Sequence, residues 1–155
     1  MLFALALLAV SALAAASLQH YARIRSSEAE LLRIGGEFRR ALASYREAAA
    51  PQVYPEALED LLLDRRTGSD RRHLRKVYFD PVTGRREWGM VTEQGRIVGI
   101  HSLSQRSPMK VSGFDPENAG FEDAVRYSDW IFRAEPVPAD LPPATDGALQ
   151  GGTGG

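Results

Sequence analysis

From Leu2 to Ala50 the chain has no proline, and from Leu2 to Leu18 it has no charge. Together these two absences constrain the fold more than any other feature. The run "LFALALLAVSALAAASL" is broken only by Ser11 and Ser17. As a helix it would reach about 26 Å, close to the ~30 Å hydrocarbon core of a bilayer. A buried core helix of a soluble protein fits so continuous a run poorly. Two readings fit better. One is a membrane helix. The other is a secretory signal peptide, for which Ala12-Leu13-Ala14 and Ala14-Ala15-Ala16 supply small-x-small cleavage sites. No basic residue precedes the run in this sequence, whereas Arg23 and Arg25 follow it. Applied literally, the positive-inside rule leaves the C-terminal part in the cytoplasm, and basic residues upstream of Met1 would reverse that. The missing basic segment and the odd orientation lead to one expectation, that Met1 is an internal methionine or a mis-chosen start.

Past the apolar run, Leu31, Ile34, Phe38, Ala41, Leu42, Tyr45, Ala48 and Ala49 recur every three or four residues. That is one apolar helix face. Glu28, Glu30, Arg33, Glu37, Arg39, Arg40 and Arg46 fill the other positions and predict a charged outer face. Gly35-Gly36 should weaken the helix by about 1 kcal/mol per glycine and let it bend. Pro51 should end it. The first third therefore reads as one helix of ~70 Å, far longer than a small domain needs. It divides at residue 18: 1–18 must find lipid or other copies of itself, and 19–50 can be covered by a globular head.

The head is expected over 51–135. Tyr54 to Arg66 predicts a short helix, with Pro55 in its first turn and Leu58, Leu61 and Leu62 on its buried face. Asp80-Pro81 and Thr83-Gly84 are turn chemistry: the Asp80 carboxylate can accept from backbone amides ahead, and Gly84 can take a positive φ. Strands are expected at Arg86–Val91 and Arg96–Leu103, joined by "TEQG" with Gly95 in the turn. A helical turn is expected at Ala119–Val125 and a third strand at Tyr127–Glu135. Residues 136–155 are rich in Pro, Gly and Ala and predict a disordered tail. The class is α+β: a long helix packed on an antiparallel sheet of about three strands, which is too small to stand alone. Leu31, Ile34, Phe38, Leu42, Tyr45, Trp88 and Trp130 are the expected core, with Trp88 anchoring a strand on the helix or lying at a subunit contact.

The chemistry-bearing residues point away from catalysis. There is no cysteine, which removes disulfides and thiolate sites. His20, His73 and His101 fall in three different elements and lack metal-ligand spacing. Ser102 and Ser104 near His101 have no nucleophile elbow around them. Asp115, Glu117, Glu122 and Asp123 offer oxygen ligands for calcium, but Pro116 interrupts a spacing that is not an EF-hand loop. The formal net charge is −1, yet Arg65, Arg66, Arg71, Arg72, Arg75, Lys76, Arg85 and Arg86 crowd into one region. Without interleaved stacking aromatics, and with Asp64 and Asp70 among them, they read as a solvated face or contact rim, and nucleic-acid binding is not favoured. The expectation is a non-enzyme without cofactor.

"EAELLRIGGEFRRALASYRE", "YPEALEDLLLD", "RRHLRKVYFDPVTG", "EWGMV" and "IVGIHSLS" occur in this order over about Leu2 to Glu135. Together they resemble the pseudopilins of bacterial type II secretion systems, within the wider type IV pilin-like class. The resemblance implies a prepilin with a basic leader, cut by a prepilin peptidase and N-methylated. It implies residence in the inner membrane with the head in the periplasm. It also implies assembly with other pilin-like subunits at an inner-membrane platform, through a helix surface carrying Leu2, Phe3, Leu5, Leu7, Leu8, Val10, Leu13 and Leu18. The chain departs from that pattern in three respects. The leader and its glycine-phenylalanine junction are not in the sequence, Leu2 to Leu18 has no glutamate, and "SGFDPENAGFEDAVRYSDWIF" does not reproduce the family's calcium loop. The rival expectations are a secreted or periplasmic binding module with a cleaved signal peptide, and a minor pilin contacting DNA through Arg65–Lys76.

Overall fold

The computed structural model describes residues 2–134, without the side chains of 2 and 12–15. The tail expected at 136–155, and Glu135 at the end of the expected third strand, lie outside the described residues. Helix α1 (Leu2–Glu47) is continuous and, at 46 residues, about 69 Å long. It stops before Pro51. Gly35-Gly36 does not interrupt it. Gly35 serves close approach instead, because a Cβ there would collide with the Phe132 ring.

The sheet has three antiparallel strands in the order β1 (Gly89–Glu93), β2 (Arg96–His101), β3 (Phe132–Arg133). β1 and β2 form a hairpin in which Glu93 pairs with Arg96, and the register slips between Val91 and Thr92. The turn is only Gln94-Gly95, at φ 51° and 75°. Two successive positive φ values match the right-handed twist of the flanking strands. Thr92 and Glu93 therefore belong to β1 and not to the turn. The strand expected from Arg86 starts only at Gly89, since Trp88 turns inward and its Nε1 donates to the Tyr78 carbonyl at 2.9 Å.

The other two departures share one cause: long-range backbone pairing overrides local preference. The helix expected at Tyr54–Arg66 shrinks to a 3-10 turn at Leu58–Leu61. The Leu61 carbonyl accepts from His73 and Leu74, and Asp64 exchanges both backbone bonds with Arg71. The third strand shrinks to Phe132–Arg133 because the Tyr127 and Ser128 amides donate to the Arg106 and Ser104 carbonyls, in a 3-10 turn at Tyr127–Asp129. A further 3-10 turn stands at Pro116–Phe121, slightly before its expected place at Ala119–Val125.

The core lies where the second half of α1 meets the sheet. Leu31, Ile34, Phe38, Ala41, Leu42 and Tyr45 are buried, as are Trp88, Ile97, Ile100, Trp130 and Phe132. Phe38 meets Trp88 edge-to-face at 5.4 Å. Phe121 stacks on Trp130 at 5.6 Å and meets Phe132 edge-on. All seven residues expected in the core are in it.

Candidate functional site

The first half of α1 is bare. Its most apolar stretch has no buried residue and is long and apolar enough to cross a membrane. Phe3 is 89% exposed, and Leu5, Leu7, Leu8, Val10 and Leu18 are exposed as well. The side chains of Leu2 and Leu13 lie outside the described residues. Among the described residues, none of the head buries these side chains.

Glu28 marks the junction. The polar pattern places it on the outer face, but it is 4% exposed. Its Oε1 accepts from the Met109 amide at 2.6 Å, the Lys110 amide at 3.2 Å and the Tyr127 hydroxyl at 3.0 Å. One carboxylate thus ties α1 to the loop between β2 and β3. Burial, reinforced by the Glu28 carboxylate, pushes the Tyr127 hydroxyl up to about 12. Arg39 is likewise buried, against the outer-face expectation. It donates to the Arg133 carbonyl and to Asn118, and Glu117 lies 3.5 Å away. Burial pulls its guanidinium below the ordinary value, and Glu117 opposes that. Glu30, Arg33 and Glu37 do form an exposed ion-pair ladder.

The turn residues act as expected. The Asp80 Oδ1 accepts from Val82 and Thr83, and Gly84 has φ 72°. Pro81 is half-buried beside them. Asp80 Oδ2 also takes the Ser102 hydroxyl at 2.6 Å, and Ser102 Oγ in turn accepts from the Ser104 amide. Ser102 and Ser104 therefore serve this turn, while His101 faces the Ser102 carbonyl.

Sequence reasoning missed one constellation. Ser44 Oγ lies 2.8 Å from His73 Nδ1, and His73 Nε2 lies 3.2 Å from the Asp64 carboxylate. That is the residue order of an activated serine. Ser44 sits inside α1, however, where its backbone amide is committed to the helix and cannot serve an oxyanion. None of the cavities described is lined by Ser44 or His73. The Asp64 carboxylate is also held by Arg66, which with the His73 contact drives it well below the usual carboxylate range. The set clasps the Asp64–Arg71 bridge to the end of α1. It was missed because its members are far apart in sequence and share no motif.

Arg71, Arg72 and Arg75 are exposed, and the rest of the basic run has partners within the head. Arg66 turns inward over Tyr45, Lys76 lies over Tyr78 and Arg86 over Phe79. Arg65 and Arg85 face Asp70 and Glu87. Asp115, Glu117, Glu122 and Asp123 are exposed, and Glu117 is directed to Arg39. Among the described residues no group of three or more His, Asp or Glu is placed to hold a metal. No protein-family model matches the chain, and no curated protein or solved structure shows significant similarity to it.

Proposed function

We propose that this chain is a structural, pilin-like subunit of the type II secretion pseudopilus kind. It waits in the inner membrane with its head in the periplasm and assembles with other pilin-like subunits through the first half of α1. The observation that carries the reading is the division of one unbroken helix. Its second half is the spine of the head's core, while its first half is apolar and exposed on every described face. Such a helix needs lipid before assembly and neighbouring helices after it. The exposed Glu30–Arg33–Glu37 ladder can set register between copies. The partners under this reading are other pilin-like subunits, the inner-membrane assembly platform and a prepilin peptidase. The role is mechanical, without catalysis.

The test is mass spectrometry of the N-terminal peptide of the native protein from its own cells. An N-methylated residue at or upstream of Met1, in a membrane fraction, is the expected result. A terminus near Ala15 or Ser17 in a soluble fraction would mean signal-peptide cleavage and would overturn the filament reading.

A further inference from the structure

Leu18, Ala22, Arg25, Ala29 and Leu32 are spaced three or four residues apart along α1 and, with Tyr21 beside Ala22, make one stripe. Two cavities lie end to end on this stripe. The lower, of about 640 Å³, is walled by Leu18, Tyr21, Ala22, Arg25 and Met109 and is almost wholly apolar. The upper, of about 570 Å³, begins at the same Arg25 and Met109 and runs up past Lys110 and Phe114. Arg25 and Met109 thus stand at the waist of one continuous groove. It starts at the last residue of the apolar run and ends inside the head.

Its position relative to the bilayer follows from the helix rise. Arg25 lies about 10 Å beyond Leu18 along the axis. Helix side chains lean toward the N-terminus, which here means back toward the membrane, so the guanidinium reaches the headgroup layer. Lys110 lines the same upper cavity as Arg25, its ammonium bonded to the Gly113 carbonyl and lying over the Phe114 ring. Among the described residues neither cation has an ion-pair partner. Of the carboxylates in the upper cavity, Glu28 is buried with its Oε1 taken by three donors, and Asp115 is exposed. On the opposite flank of α1, His20, Arg23 and Arg106 line a smaller cavity. The membrane-proximal rim of the head is therefore cationic around the helix, and it is apolar where the groove opens toward the bilayer.

We propose that this groove takes an anionic phospholipid from the surrounding bilayer. Arg25 and Lys110 hold its phosphate, and its upper acyl segment runs between Met109 and the Leu18–Tyr21–Ala22 stripe. The loop carrying Met109 and Lys110 is then pressed onto the membrane surface, and the head sits at a fixed height. The inference rests on Leu2–Leu18 crossing the bilayer and not on filament assembly.

The chain has no cysteine, so single reporters are clean. Met109→Cys, Val10→Cys and Thr67→Cys, each carrying an environment-sensitive dye, are placed in full-length protein at low density. The membranes are nanodiscs of phosphatidylglycerol with phosphatidylethanolamine, or of phosphatidylcholine alone, with spin-labelled lipid as quencher. The expected result is strong quenching at Val10 in both membranes, none at Thr67, and quenching at Met109 only in the anionic membrane. Each basic side chain near an anionic surface is worth about fivefold. Arg25→Gln with Lys110→Gln should therefore lower the docked fraction at Met109 roughly tenfold or more and leave Val10 unchanged. Quenching at Val10 without any at Met109 would overturn the lipid site and leave the anchor intact. No quenching at either position would remove the anchor as well. Equal quenching at Met109 in both membranes would overturn the role of charge. Shielding of Met109 that appears only at high protein-to-lipid ratio would assign the groove to a second copy.

Discussion

Gly35 and Gly36 are adjacent, both buried and both in the middle of α1, yet alanine should act on them with opposite sign. Helix propensity alone favours alanine at either site by about 1 kcal/mol. At Gly36 little opposes it: the nearest group to a new Cβ is the mobile end of Arg40, at 3.4 Å. Gly36→Ala should stabilise by up to about 1 kcal/mol. At Gly35 the new carbon would sit within the Phe132 ring, far inside the ~3.5 Å at which carbons make contact. That ring cannot step aside, because it belongs to β3 and is packed edge-on against Phe121 at 5.0 Å. The helix must lift from the sheet instead, and overpacking of this kind costs about 1–3 kcal/mol. Net of the propensity gain, Gly35→Ala should destabilise by up to about 2 kcal/mol. The propensity gain is common to both, so the two variants differ by the overpacking cost itself, about 1–3 kcal/mol, or on the order of 1–2 M in urea midpoint for a head of this size. Urea titration of the full chain in micelles, followed by fluorescence of buried Trp88 and Trp130, reads the difference. A Gly35→Ala protein as stable as Gly36→Ala would refute the close-approach argument.

Three further outcomes follow from the same contacts. Trp88 is 6% exposed with its indole N–H bonded to Tyr78, so Trp88→Ala should cost about 3 kcal/mol or more and Trp88→Phe clearly less, both by urea midpoint. Tyr127 is held protonated by burial and by Glu28. Its contribution is full below the unfolded value near pH ~10 and declines as pH rises toward about 12, so Tyr127→Phe should flatten the alkaline limb of a pH–stability curve. Asp64 runs the other way. Its folded value is depressed by Arg66 and His73, so its contribution is full above about pH 4 and declines as acid protonates it. Asp64→Asn should lose stability near neutrality and show a shallower acid limb; an unchanged acid limb would count against the clasp.

The long helix and its buried stripe were legible because apolar periodicity is a local property of sequence, and nothing in the head contradicts it. The Asp80–Gly84 turn was legible for the same reason, since its donors and acceptors lie within four residues of one another. What was hidden depends on groups far apart in the chain. Glu28 and Arg39 read as solvated charges in a helical wheel, and only the return of the chain at Met109, Asn118 and Arg133 gives them buried partners. The Tyr54–Arg66 segment has helical composition, but Leu61 and Asp64 have their backbone groups taken by residues 71–74. Ser44, His73 and Asp64 could not be associated without the fold.

Glu28 also explains why one helix can serve two surroundings without a break. Among the described residues Phe3, Leu5, Leu7, Leu8, Val10 and Leu18 are exposed in its apolar run, and covering each is worth about 1.5–3 kcal/mol. The sum is about as large as the whole stability of a domain, so this half cannot remain in water. Lipid and a bundle of like helices are nearly equal as apolar surroundings, however, so moving from one to the other gains little from the hydrophobic effect. On the proposed function, assembly would then draw on packing, for which Ala4, Ala6, Ala9 and Ala16 keep the helix narrow, and on groups that report its depth. The buried Glu28 carboxylate cannot slide toward the bilayer without abandoning three donors, each bond to a charged group being worth about 1.5–3 kcal/mol. The head is thereby held at a fixed point on the helix, with Arg23 and Arg25 just below it. Any movement along the membrane normal must then carry helix and head together. On the proposed function, that rigidity lets the subunit transmit force along its own axis.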